Sequence, residues 1–405
     1  MKRIIRLFQA IFLAIFLLSS HEVFGQQMTV IPSSGLDDST LVRTEVSLLT
    51  CMPHEEVYSL YGHTALRVFN AEDSLDVSVN WGVFDSSKPN FVMNFILGLT
   101  DYVMAVVPTR YFLREYCYYG SMVYQQRLRL TVPEKRRLLL ALQENCLPEN
   151  RTYRYNFYYD NCTTRARDVI LDAIDGSVDY AAVEKQDGRM SFRNLIHWKT
   201  EGYPWCRWGN DFLLGVQSDR ETTPAQREFI PEVLLEDFES AAVTRAGGEK
   251  VSLVDTSYVL LPQGVSMAEP MSGFPLSPLM CAVLLFAFVA LLTVMEVKVW
   301  HKKLRWIDTV LFYVFGILGL LLAVMMFSEH PTVRVNLQIL LFCPLWLVLY
   351  APFFKWRHRE KVTLAILCLF FLGNIFQCYA EGMNVLALIL LMRTLEKLCF
   401  PRNHK

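Results

Sequence analysis

The sequence predicts an α+β exported domain followed by an all-α transmembrane helix bundle. Three observations carry that reading. Between about Thr44 and Leu130, short runs alternate polar and apolar residues as half-buried strands do; from Pro133 the apolar spacing becomes helical; and beyond Pro278 the chain turns into long apolar runs. Hydrophobic residues make up 53% of the 405 residues and mean hydropathy is +0.25, high for a globular protein, while most charged residues precede position 270.

Residues 1–25 read as a signal peptide. Lys2, Arg3 and Arg6 form a basic start, Leu7 to Leu18 an apolar stretch, and Val23-Phe24-Gly25 before Gln26 a cleavage site ending in a small residue. The competing reading is an uncleaved anchor, for which the apolar stretch is short. Residues 26–265 form the expected exported, periplasmic domain, with strands at Thr44–Thr50, His63–Phe69, Val77–Phe84 and Val123–Leu130. Pro133 opens a helical pattern through Leu138, Leu142 and Asn145. A second helix follows Asp160 and Asn161, both good N-caps, and runs through Ala166, Val169, Ile170 and Ala173 to a stop at Gly176. The rest of the domain reads as a loop-rich aromatic tail, with Trp208–Gly215 a structural loop.

A linker at 266–278 leads to the bundle at 279–400, where apolar runs at about Leu279–Val297, Ile307–Phe327, Leu337–Phe354, Val362–Tyr379 and Met383–Leu398 approach the length of a membrane span. Arg393 interrupts the last of these. Asn374 and Gln377 fall inside the fourth, where polar groups are expected to bond to neighbouring helices. Lys298, Lys302, Lys303 and Arg305 follow the first run, and Lys355, Arg357, Arg359 and Lys361 the third; the alternate loops carry only Arg334. The positive-inside rule therefore predicts a multi-pass protein of the cytoplasmic membrane with residues 26 to 275 on the periplasmic side.

Composition also excludes classes. A net charge of −1 and the lack of a phosphate-cradling glycine loop argue against nucleic acid, and no Cys/His spacing suits a metal, so neither metal nor other cofactor is expected. Of the ten cysteines, Cys51, Cys117, Cys146, Cys162 and Cys206 fall in the exported part, an odd number that leaves at least one free thiol in an oxidising compartment.

Two short segments carry the chemistry. His63, after Tyr61 and Gly62, stands at a strand start, and Cys162 opens a helix, where the positive end of the macrodipole favours thiolate. Brought together, they make a nucleophile and its general base. The bland alternatives are a core cysteine and an ordinary structural histidine. His54 and His197 are weaker candidates for the base. Strand histidine before helix-start cysteine reverses papain's order and is the order of circularly permuted papain-like enzymes.

The string formed by Leu48–Pro53, Tyr61–Val68, Asn80–Asp85, Pro89–Phe91 and Tyr153–Arg165 resembles the Lnb-type periplasmic domain, and with the multi-span tail nearly the whole mature chain resembles the Lnb-type lipoprotein N-acyltransferases. The resemblance implies a circularly permuted papain-like fold of the NlpC/P60 type, related to lecithin:retinol acyltransferase-like enzymes. It also implies a polar imidazole orienter on the strand after the histidine strand, which here is Asn80, with Asp85 its rival and a strand-end turn the plainer role for Asn80. The expected reaction takes an acyl chain from a phospholipid onto Cys162 and passes it to the N-terminal amine of a diacylated lipoprotein. Tyr61, Tyr159, Asp160, Asn161 and Arg165 would shape the substrate and oxyanion environment. Two other readings use the same features: a peptidoglycan-cleaving cysteine peptidase or amidase with the same dyad, and a non-catalytic membrane scaffold.

Overall fold

The computed structural model describes residues 37–84, 90–180, 190–268, 273–300, 304–354 and 356–399. The expected signal peptide and Asp85 lie outside them. The chain divides into two compact units, one drawing on residues up to Phe95, Leu99–Asp187 and Pro224–Met271, the other on Ile96–Gly98, Gly188–Thr223 and the chain from Ser272 onward.

The first unit runs through α1 (Asp38–Arg43), β1 (Glu45–Cys51), β2 (His63–Asn70), β3 (Leu75–Val83), most of α2 (Phe91–Leu97), β4 (Asp101–Pro108), α3 (Thr109–Tyr118), β5 (Val123–Leu128), α4 (Val132–Cys146), β6 (Thr152–Arg154), α5 (Cys162–Ala173) and β7 (Ser177–Tyr180). The chain then forms α6 (Phe192–Lys199) and α7 (Pro204–Leu213) in the second unit and returns with α8 (Pro231–Ser240), β8 (Ala241–Thr244), β9 (Lys250–Ser252) and β10 (Val254–Leu261).

Seven strands make an antiparallel sheet in the order β10-β5-β1-β2-β3-β4-β6, and β7-β8-β9 form a small second sheet. Four of these strands match the alternating runs of the sequence. Both faces of the central strands are covered, which is why Leu48 and Leu49 of β1 are both buried. On one side Leu48, Leu66, Val79 and Trp81 pack with Leu138 and Leu142 of α4, Ala166 and Ile170 of α5, and Phe238 of α8. On the other, Leu49, Ala65 and Val107 lie beneath Phe112 and Tyr116 of α3. Truncating one of these large side chains to alanine costs about 2–5 kcal/mol. Thr131 and Glu134 cap α4 reciprocally, so the helix begins at Val132, one residue ahead of Pro133.

The second unit contains α6, α7, α9 (Pro278–Lys298), α10 (Arg305–Met325), α11 (Arg359–Gly373) and α12 (Met383–Cys399). Among the described residues, two helices, α9 and Trp306–Met325 of α10, are long and apolar enough to cross a membrane. The expected helix over Leu337–Phe354 is not continuous: a 3₁₀ turn at Leu337–Leu340 and a single turn at Trp346–Leu349 flank Pro344, which has no N–H to give and obstructs the carbonyl four residues back. Gly319 of α10 accommodates this broken segment, since a Cβ there would overlap the Phe342 carbonyl. α11 ends at Gly373, so Asn374 and Gln377 lie beyond it rather than inside a helical span. Gln377 is buried and bonds to the Leu214 carbonyl, Asn336 and the Leu337 N–H.

Trp208–Gly215 is also not a loop. Pro204 at the first helical position starts α7, which continues to Leu213. Arg393 is buried and neutralised by Glu296 of α9 and Asp308 of α10, with Lys397 also on Asp308 at 2.9 Å. α9 and α12 run in the same direction: Gly382, before α12, sits against Ala282 near the start of α9, and Arg393 meets Glu296 near the other end.

Candidate active site

His63 begins β2 and Cys162 begins α5, so each chemical group stands where a regular element starts. Asn161 defines the start of α5. Its side-chain oxygen accepts the N–H groups of Thr163 at 2.9 Å and Thr164 at 3.0 Å, and the Thr164 hydroxyl accepts the Asn161 N–H at 2.9 Å. Its amide also donates to the carbonyls of Phe157 at 3.0 Å and Phe229 at 2.8 Å. The Asn161 oxygen thus serves the second and third helical N–H groups and leaves that of Cys162, the first, outside the capping arrangement.

Across this helix start lies the His63 ring, which flanks Gly82 together with Cys162 and is near enough to the thiol for each group to shift the other's titration. Both residues are partly exposed. His63 Nε2 faces Asn80 Oδ1 at 2.7 Å, which leaves Nδ1 for the sulfur. Because an amide oxygen only accepts, this contact places a proton on Nε2. The geometry follows from register: Asn80 pairs with Ala65, and His63 is two residues from Ala65 on the same side of β2, a diagonal within side-chain reach. Asp85 lies outside the described residues.

The electrostatics match a thiolate–imidazolium pair. Burial would raise the Cys162 pKa, but the charge and hydrogen bond of His63, the Thr64 N–H and the Thr163 hydroxyl bring it down to about 7. Burial would lower that of His63, but the Cys162 charge and hydrogen bond, with the Asn80 contact, lift it to about 9. Burial pushes the thiols of Cys51, Cys146 and Cys206 up instead. All ten cysteines are free.

Three residues that sequence reasoning did not single out complete the site. Gly82 sits between the dyad members: a Cβ there would lie 3.6 Å from His63 Cε1 and 3.9 Å from Cys162 Cβ, and its φ of +109° disfavours any side chain. A glycine inside a strand pattern is the signal that could have flagged it. Thr64 and Thr163 are fully buried and join β2 to α5 through a 3.1 Å hydroxyl contact, with Thr163 Oγ1 3.8 Å from the sulfur.

Of the other candidates, Tyr61 packs edge-on against Phe157 at 4.8 Å, and Tyr159 is exposed. Asp160 does not cap the helix; it holds Arg165 at 2.6 Å, and that guanidinium lies 3.7 Å over the Tyr153 ring. His54 is buried, stacked on Tyr119 at 3.9 Å, and its pKa is lowered by burial to about 4. His197 belongs to the second unit and binds Asp211 at 2.8 Å. No group of metal-binding side chains occurs among the described residues.

Family models match two stretches of the chain, the Lnb N-terminal periplasmic domain over residues 36–197 and the Lnb transmembrane domain over residues 269–404. No curated protein and no solved structure matches it. A sheet-rich domain followed by a helical region with apolar helices agrees with both matches, and the chain belongs to the Lnb family of membrane proteins, of the lipoprotein N-acyltransferase type.

Proposed function

We propose that the protein moves an acyl chain from a membrane phospholipid to the N-terminal cysteine amine of a diacylated lipoprotein, through a thioester on Cys162. The observation that carries this reading is that His63 and Cys162 flank Gly82, with the charge of His63 bringing the thiol pKa down to about 7, in a chain that carries both Lnb domains. The Cys162 thiolate attacks the ester carbonyl. As the C–O bond breaks, imidazolium His63 gives its proton to the departing lysophospholipid oxygen. Neutral His63 then takes a proton from the α-amine as that nitrogen attacks the thioester, and the sulfur leaves as thiolate. The N–H of Cys162 and its neighbours at the helix start serve as oxyanion donors, and Asn80 holds the imidazole tautomer.

Strand-histidine, helix-cysteine order supports a permuted papain-like ancestry for the first unit. The parallel course of α9 and α12 supports an odd number of crossings from one to the other, hence a multi-pass bundle, and the basic residues after the first and third apolar runs support the cytoplasmic membrane with the dyad on the periplasmic side.

The test follows the acyl chain. Protein given labelled phospholipid should acquire hydroxylamine-sensitive label that Cys162→Ser abolishes, and a diacylated peptide with a free N-terminal cysteine should discharge it as an amide. Cleavage of wall stem peptides with no thioester formed from phospholipid would replace this reading with the peptidase one.

A further inference from the structure

The stretch from Trp198 to Thr223 lies in neither matched domain, yet it forms part of the second unit. Its helix α7 reaches the starts of two bundle helices in the same way. Trp205 Nε1–H donates to the Leu276 carbonyl at 2.8 Å, two residues before α9 begins at Pro278. Trp208 Nε1–H donates to the Glu381 carbonyl at 3.1 Å, two residues before α12 begins at Met383. One short helix thus caps two parallel helices at one level.

The surface there is amphipathic. Arg207 of α7 donates to the His197 carbonyl at 3.1 Å and so holds the end of α6 beside α7; next to it Trp198 is exposed with Lys199 4.9 Å over its ring, while Trp205 is exposed and Phe274 packs edge-on against it at 5.8 Å. From Phe274 the exposed apolar surface continues onto Met280, Val283 and Leu284 of α9, a helix whose outer face needs lipid around it. Trp205, with a bonded N–H and an apolar body at the mouth of an apolar helix, and Trp198, an exposed indole under a lysine, suit the headgroup layer of a bilayer. From below, buried side chains hold the helix rigidly: Gln338 Nε2 donates to the Asp211 carbonyl at 2.8 Å, and Asn336 Nδ2 to the Phe212 carbonyl at 2.8 Å.

We infer that the α6–α7 hairpin is an interfacial collar, with Trp198 and Trp205 seated among the phospholipid headgroups where α9 and α12 enter the membrane. This position does not depend on acyl transfer, so the full-length Cys162→Ser protein serves for the test. Reconstituted in phospholipid nanodiscs, it is compared with the same chain carrying Trp198→Phe or Trp205→Phe, and the emission lost with each indole is taken as that indole's signal. A nitroxide on the lipid headgroup should quench both signals at least roughly twofold more than a nitroxide near the acyl-chain end. Trp198 is an independent reporter, since it stands on α6 and anchors neither helix start. Equal quenching by the two labels, or none by either, would overturn the collar.

Discussion

Asn80 accepts the Nε2–H of His63 at 2.7 Å across 17 positions of sequence, and so decides which ring nitrogen is left for Cys162. Without it, the Cys162 charge would still favour protonated His63, but nothing would fix which ring nitrogen faces the sulfur. Asn80→Ala should therefore slow acylation by roughly ten- to a hundredfold. It should also move the alkaline limb of the pH profile down, because the lost bond is one that favours protonated His63. An unchanged alkaline limb would reduce Asn80 to a structural role.

The dyad sets a pH window. Thiolate accumulates as pH rises through about 7, and imidazolium is lost above about 9. Acylation, which uses both, is expected to peak between these values, whereas alkylation of Cys162 by iodoacetamide should rise through about 7 and then level off. In His63→Ala the alkylation midpoint should climb to roughly 8.5 or higher, the range of an unassisted thiol. A midpoint that stays in place would dissolve the pair.

Thr163→Val removes a hydroxyl that lowers the Cys162 pKa and joins α5 to Thr64. The alkylation midpoint should move up while the fold persists. Thr163→Ser, which keeps the hydroxyl, should restore it.

Gly82→Ala would put a methyl between His63 and Cys162 at a φ of +109°. Left-handed backbone costs a non-glycine residue about 1–2 kcal/mol, so the unit should remain folded with a modestly lower melting temperature. Labelling by phospholipid should fall by at least roughly tenfold, since the methyl occupies space beside the nucleophile. Wild-type labelling would show that the space is not used.

Arg393→Met would leave Glu296 without its buried partner and Asp308 with Lys397 alone. Breaking such a cluster costs about 3–5 kcal/mol. The melting temperature in detergent should fall clearly for this variant, and the double change Arg393→Met with Glu296→Gln should recover part of the loss.

Local rules were enough for much of the first unit. Alternation located β1, β2, β3 and β5 to within a residue or two, because a sheet covered on at least one face imposes its period on the sequence. The Asn161 cap and the apolar spacing through Ile170 placed the Cys162 helix, because capping is settled within four residues. The same sequence showed His63 and Cys162 at element starts. It could not show that they meet, since that depends on β2 and α5 packing together across 99 positions through Thr64 and Thr163. Register made Asn80 a partner of His63, and the bulge at Trp81–Val83 brought Gly82 beside the dyad. In the second unit, hydropathy located the apolar segments without distinguishing a continuous helix from one broken at Pro344. Trp208–Gly215 read as a loop because of its turn residues and carboxylate, whereas its backbone carbonyls at Asp211, Phe212 and Leu214 are met by the buried amides of Gln338, Asn336 and Gln377, more than a hundred positions away. Composition and periodicity report what a residue needs from its neighbours; only the tertiary structure decides which distant residues supply it.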